Sequence, residues 1–141
     1  MTHAKYVLMW TEAKAPSLAE MEAMAHEVFE RLPKGFRTLC EGVIIRVDDF
    51  PTDEVLDELG IEDPFGLTGL YSGVDLAHRS LFDSAPEPSR VFLYRRPILD
   101  EWAEHGEVTL EELVTHVLVH EIGHHFGLTD PDIDAIEASA G

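Results

Sequence analysis

"TLEELVTHVLVHEIGHHFGLTD", Thr109 to Asp130, is the stretch on which the fold turns. Thr109 and Glu112 have the spacing of a capping box, so a helix starts here. Leu110, Leu113, Val114, Val117 and Leu118 supply a wide apolar face, and Val119, Ile122 and Phe126 cover other angles. A helix apolar nearly all round belongs in the middle of a domain, not on its surface. Gly127 follows the last helical residue, where a left-handed glycine ends a helix at no steric cost.

The same stretch carries the chemistry. His120 and His124 are four residues apart, so on a helix both imidazoles leave one face, one turn apart. Two nitrogens so placed can bind one zinc at about 2.0–2.1 Å. Glu121 projects about 100° round the helix from His120. It is close enough to reach a water activated at the ion without ligating, and can take its proton. This is the H-E-x-x-H pattern. The competing reading has both histidines satisfied by hydrogen bonds on a buried helix. It is disfavoured because two imidazoles and a carboxylate are costly to bury without a metal.

A catalytic zinc takes three protein ligands and keeps one position open. Gly127 can turn the chain back toward the metal, and Asp130 comes three residues later. His120, His124, Gly127 and Asp130 thus follow an extended H-E-x-x-H-x-x-G-x-x-H spacing with Asp in the last place. Asp130 has a second reading. It precedes Pro131 and "DIDAIEA", so it can N-cap a final helix. We take it as the third ligand, with the cap still open; Glu137 is a weaker alternative.

The other histidines contribute less. His116 lies one turn before His120 and could chelate with it, but about 11 Å separates it from His124. All three cannot share one ion. His125 points away from His124, which suits a surface role. His26, His78 and His105 read as structural or exposed. Of these, His105 is the best candidate for steadying an oxyanion, with Tyr71 and Tyr94 weaker ones. Arg95 and Arg96 could bind a substrate carboxylate, but neutralising nearby acids is the preferred reading.

The rest of the chain supports one α+β domain, 1–141. Ser17 to Leu32 reads as a helix with a Ser17–Glu20 capping box and an apolar stripe through Leu18, Met21, Ala25, Val28, Phe29 and Leu32, ended by Pro33 and Gly35. Gly42 to Val47 is a short β-branched strand. Thr52 caps a short helix that Gly60 ends. Leu70 to Leu76 is a second strand, weakened by Gly69 and Gly73, and Arg90 to Pro97 is a third, stopped by Pro97. A small mixed sheet packed on a central helix follows.

Composition narrows the partners. Ten Lys and Arg against 28 Asp and Glu give a formal charge of -18, which repels phosphate backbones and makes nucleic acid an unsuitable partner. Cys40 is the single cysteine, so a metal site must be built from His and carboxylates. The apolar run Tyr6–Trp10 is too short for a signal core or a membrane span, so a cytoplasmic location is expected.

With these motifs in place, the sequence resembles a family of small bacterial zincin-like metallopeptidases. The likeness runs through "FERLP", "GVIIRVDDFP", "DPFGLTGLYSGVDL" and "VFLYRRPILDEW" to "HVLVHEIGHHFGLTD", the most specific segment. The resemblance implies a zincin-like α+β fold, with a small sheet above the active-site helix. It also implies one zinc ion on His120, His124 and Asp130, and Glu121 as general base. The chain departs from large metzincins, because 11 residues follow Asp130 and none is a Met that could form a methionine turn. The expected function is a zinc-dependent hydrolase, a metallopeptidase acting on a peptide or protein aligned along an edge strand. The alternative is a zinc-binding regulatory or adaptor module with little or no peptidase activity.

Overall fold

The structure, a computed structural model, describes residues 14–73 and 89–140, apart from the side chains at 125, 130, 139 and 140. Helix α1 (Leu18–Glu30) opens with the expected capping box. The Glu20 N–H donates to Ser17 Oγ at 3.1 Å, and the Ser17 N–H donates to Glu20 Oε1 at 3.2 Å. Its stripe of Met21, Ala25 and Val28 is buried. Helix α1 stops at Glu30, short of Leu32, and Pro33 then precedes a second helix, α2 (Lys34–Leu39), which the sequence reading missed. Proline has no N–H to leave unsatisfied, so it begins a helix as readily as it ends one. Phe36 of α2 packs edge-on against Phe126 at 5.5 Å.

Strand β1 (Ile44–Asp48) leads to α3 (Asp53–Leu59), capped by the Thr52 hydroxyl on the Val55 N–H at 3.2 Å and ended at Gly60. A 3-10 turn, Pro64–Gly66, precedes strand β2 (Gly69–Ser72). The expected strand began at Leu70, and its Val74–Leu76 half lies outside the described residues, as does His78. Strand β3 (Arg90–Tyr94) ends three residues before Pro97, and the chain turns directly into α4 (Arg95–Glu104). The extended reading to Pro97 is therefore corrected. Pro97 sits in the first turn of a helix, where its missing N–H does no harm. Helix α5 (Leu110–Phe126) and helix α6 (Asp130–Ala140) complete the chain.

Six α-helices and three strands are thus present among the described residues. The strand order is β1-β3-β2. β1 runs parallel to β3, from Ile44 opposite Arg90 to Asp48 opposite Tyr94. β2 runs antiparallel to β3, from Gly69 opposite Leu93 to Ser72 opposite Arg90. The sheet is mixed and the α+β expectation stands.

The core forms round α5. Its Val114, Leu118, Val119 and Ile122 are fully buried, together with Val91 and Leu93 of β3, Met21 and Ala25 of α1, and Ile98 of α4. Helices α1, α4 and α6 and strands β2 and β3 all pack on α5. This is why α5 is apolar on several sides: each apolar side has a partner, and the face through Glu112, His116 and His124 stays exposed. An Arg31–Glu111 ion pair ties α1 to α5 at the surface.

Candidate metal centre

His120, Glu121 and His124 occupy the last two turns of α5, as their spacing required. The His120 and His124 rings lie 5.0 Å apart between centroids, tilted by 62°. Two imidazoles bound at about 2.0–2.1 Å to one tetrahedral zinc place their ring centres roughly 5 Å apart. The pair therefore fits the ion. His116 and His120 are farther apart, at 6.1 Å, and stacked within 26°. His116 instead meets Glu137 of α6, with Nδ1 2.6 Å from Oε1.

Helix α5 ends in a way that returns the chain. Gly127 is left-handed, with φ of 65°. The Leu128 N–H reaches the Gly123 carbonyl at 2.9 Å and the Gly127 N–H reaches the His124 carbonyl at 3.2 Å. Those two bonds form a Schellman motif, which satisfies carbonyls that the helix end would leave open. Gly123 has a separate role. A Cβ built there would stand 2.6 Å from Ile133 Cδ1 and 2.8 Å from Cγ1, so its bare backbone is what lets α6 approach α5.

The cap of α6 is Thr129. Its hydroxyl accepts from the Asp132 N–H at 3.4 Å, and Asp132 Oδ2 accepts from the Thr129 N–H at 3.2 Å and hydroxyl at 2.8 Å. The Ile133 N–H bonds the Thr129 carbonyl at 3.1 Å, which makes Asp130 the first helical residue. The sequence alternative with Asp130 as the cap is thus corrected, because the Thr129–Asp132 pair already satisfies that helix start. The side chains of Asp130 and His125 lie outside the described residues. Among those described, no three His, Cys, Asp or Glu groups converge on one point.

Glu121 is the buried polar group of the site, 9% exposed. Burial pushes its carboxyl above the ordinary range, while the charge of His120 and the Tyr71 main-chain N–H pull it part of the way back. Its Oε2 lies 3.5 Å from His124 Nδ1. The Tyr71 contact was not foreseen. β2 and β3 are antiparallel, and the Tyr94 N–H bonds the Thr68 carbonyl. Alternation along the ladder then turns the polar groups of Gly69 and Tyr71 away from β3, toward the other edge of β2 and α5. A period-two reading of the strand would have found that edge, but not which helix faces it.

The outside candidates separate. His105 ends α4, beyond the far end of α5, and about 15 Å of helix lies between Leu110 and His120. The Tyr71 hydroxyl is 3.2 Å from Ser89 Oγ. Tyr94 is buried, and its phenol is pushed up to about 12 by burial first, then by Asp48 and Glu121. Arg95 donates to the Pro16 carbonyl and, at 3.0 Å, to Asp49 Oδ1, and the Arg96 guanidinium lies 5.9 Å over the Phe50 ring. Arg95 pairs with an acid, as preferred from the sequence, whereas Arg96 packs on an aromatic ring.

No curated protein matches the chain. The family model described as zincin-like metallopeptidase matches residues 40–140, from the end of α2 through the H-E-x-x-H pattern to the last helix. With that match covering most of its length, the chain belongs to the zincin-like metallopeptidase family.

Proposed function

We propose that the protein is a zinc-dependent peptidase in which His120, His124 and Asp130 hold one zinc ion and Glu121 is the general base. The observation that carries this reading is the Glu121 carboxylate, desolvated at 9% exposure and placed between the two imidazoles and the edge strand. A site that only stabilises a fold does not need a general base beside its ligands. A zinc ion, when bound, supplies Lewis acidity that polarises the scissile carbonyl and makes water a competent nucleophile near neutral pH. Glu121 takes the proton from the attacking water and gives it to the leaving amine nitrogen as the C–N bond breaks. A carboxyl with a raised affinity for protons suits both halves of that transfer. The outward backbone groups of β2 offer a peptide strand its register.

The test is cleavage of a quenched-fluorescence peptide library by the zinc-loaded protein, with Glu121→Gln in parallel. Turnover that disappears in Glu121→Gln, with one zinc per chain retained, supports the reading. A wild-type protein that holds one zinc and cleaves nothing refutes it, and leaves the zinc-binding regulatory or adaptor module.

A further inference from the structure

We infer that Gly69 is a positioning residue for Glu121: its missing side chain lets the edge strand β2 close over α5 and clamp the base. This rests on the reading of Glu121 as the base. Gly69 is buried, and β2 packs on α5 at this point. A Cβ at Gly69 would stand 2.8 Å from Val117 Cγ1, 3.0 Å from Glu121 Cγ and 3.2 Å from the Phe92 carbonyl oxygen. Val117 and Glu121 are one turn apart on α5, so the glycine sits in the groove between them. Gly69 does not have a positive φ, so the residue serves close approach and not an unusual backbone.

Two residues along β2, the outward N–H of Tyr71 donates to the Glu121 carboxylate. The side chain is thus held at both ends. Its methylene stem lies against the Gly69 backbone, and its head is tied to the Tyr71 amide. The Phe92 carbonyl backs Gly69 from the β3 side, so the strand cannot retreat from an added methyl without leaving the sheet. The added atom must displace the Glu121 stem, Val117, or both. A general base works only within hydrogen-bond reach of its proton, and a misplacement near 1 Å costs roughly a hundredfold in rate. The three nearest atoms to that position belong to Val117, Glu121 and Phe92, none of them a proposed zinc ligand.

The experiment compares wild type, Gly69→Ala, Val117→Ala, Gly69→Ala/Val117→Ala and Glu121→Gln, all zinc-loaded. The substrate is the best-cleaved peptide of a quenched-fluorescence library. Gly69→Ala lowers kcat by roughly ten- to a hundredfold at nearly unchanged KM and zinc content. Adding Val117→Ala removes the 2.8 Å contact and restores the melting temperature, but leaves the 3.0 Å contact with Glu121, so kcat stays low. A double variant that recovers both stability and kcat overturns the proposal, because Gly69 would then matter for packing alone.

A second readout needs no turnover. Hydrogen exchange at the Tyr71 amide accelerates at least tenfold in Gly69→Ala and in Glu121→Ala if the clamp exists, and an unchanged rate overturns it. Retained activity in Glu121→Gln sinks the assignment of the base. A dead Glu121→Gln beside a fully active Gly69→Ala sinks only the positioning role.

Discussion

Gly123 lies between the two histidines, and replacing it with alanine should change sign with its neighbour. Alanine is favoured over glycine inside a helix by about 1 kcal/mol. At Gly123 the new Cβ meets Ile133 Cδ1 at 2.6 Å and Cγ1 at 2.8 Å. The Cδ1 atom can swing aside, but Cγ1 moves only with χ1, which is stiff in a β-branched residue on a helix. Ile133 is 2% exposed, so it has no solvent to retreat into. Overpacking of this kind costs about 1–3 kcal/mol. The net result is a loss of about 0–2 kcal/mol, with α6 shifted off α5. Ile133→Ala alone loses about 2–5 kcal/mol through the cavity it leaves. In that background both clashing atoms are gone, and Gly123→Ala should stabilise by about 1 kcal/mol. The four proteins of this cycle are unfolded in urea by circular dichroism. With a slope of about 1–3 kcal/mol/M, a change of 1 kcal/mol shifts the midpoint by roughly 0.5 M, which is readily resolved. The coupling expected is about 1–3 kcal/mol. If Gly123→Ala stabilises the wild type, or has the same sign in both backgrounds, the close approach of α6 does not depend on this glycine and the reasoning fails.

Zinc titration should separate the helix cap from the ligand. Asp130→Ala weakens zinc by at least the roughly 10–100-fold that loss of an outer-shell partner costs, without destabilising α6. Thr129→Ala loses about 1 kcal/mol in urea melts through the lost cap. Zinc content measured after dialysis should be one per chain in His116→Ala and none in His120→Ala, because the 5.0 Å pair and not the 6.1 Å pair fits one ion. Stability should also respond to Cys40. Burial raises its thiol from 9.0 to about 11, so the folded state holds that proton more tightly than the unfolded state. Below about pH 9 both states are protonated and nothing changes. From about 9 to about 11 the unfolded thiol ionises alone, and stability falls by up to about 1.4 kcal/mol per pH unit. The difference between wild-type and Cys40→Ala urea midpoints across that range reads this directly. A difference that does not vary with pH would refute it.

What the sequence made legible was local. The capping box at Ser17 and the hydroxyl caps at Thr52 and Thr109 act across three residues, and each marked its helix start within a short window. The metal-binding pattern was visible for the same reason, since one helical turn joins His120 to His124. The errors occurred where distant partners decide. The junction from β3 to α4 is held by the Arg96 N–H on the Asp49 carbonyl at 3.1 Å, and by Arg95 bound to Asp49 and to Pro16. Asp49 and Pro16 lie 46 and 79 positions from Arg95, so no local pattern around Pro97 could reveal them. The cap of α6 was local yet misread, because Asp132 plays the part that Glu or Gln takes in the usual capping box. The clamp on Glu121 was invisible for the first reason, with β2 reaching it from 50 residues upstream.

These two kinds of contact divide the site by function. The proposed zinc ligands lie within residues 120–130, and their relative placement follows from a helical turn, the Schellman motif at Gly127, the Thr129–Asp132 cap and the Gly123–Ile133 contact. Every one of those devices lies between residues 120 and 133. The proposed base is set differently. Its backbone belongs to the same helix, but its carboxylate is directed by Gly69 and Tyr71 on a strand that reaches the helix only in the folded sheet. On the proposed function, zinc affinity and catalysis would therefore depend on different parts of the chain. Changes in 123–133 should weaken metal binding and leave the β2 clamp intact, whereas changes at the β2 edge should lower turnover in a protein still carrying its zinc. A peptide laid along β2, as the proposed function has it, would act on the second part alone. It would meet the strand that holds Glu121, so in that reading the alignment of substrate and the aim of the base are coupled through one short segment, Gly69–Ser72.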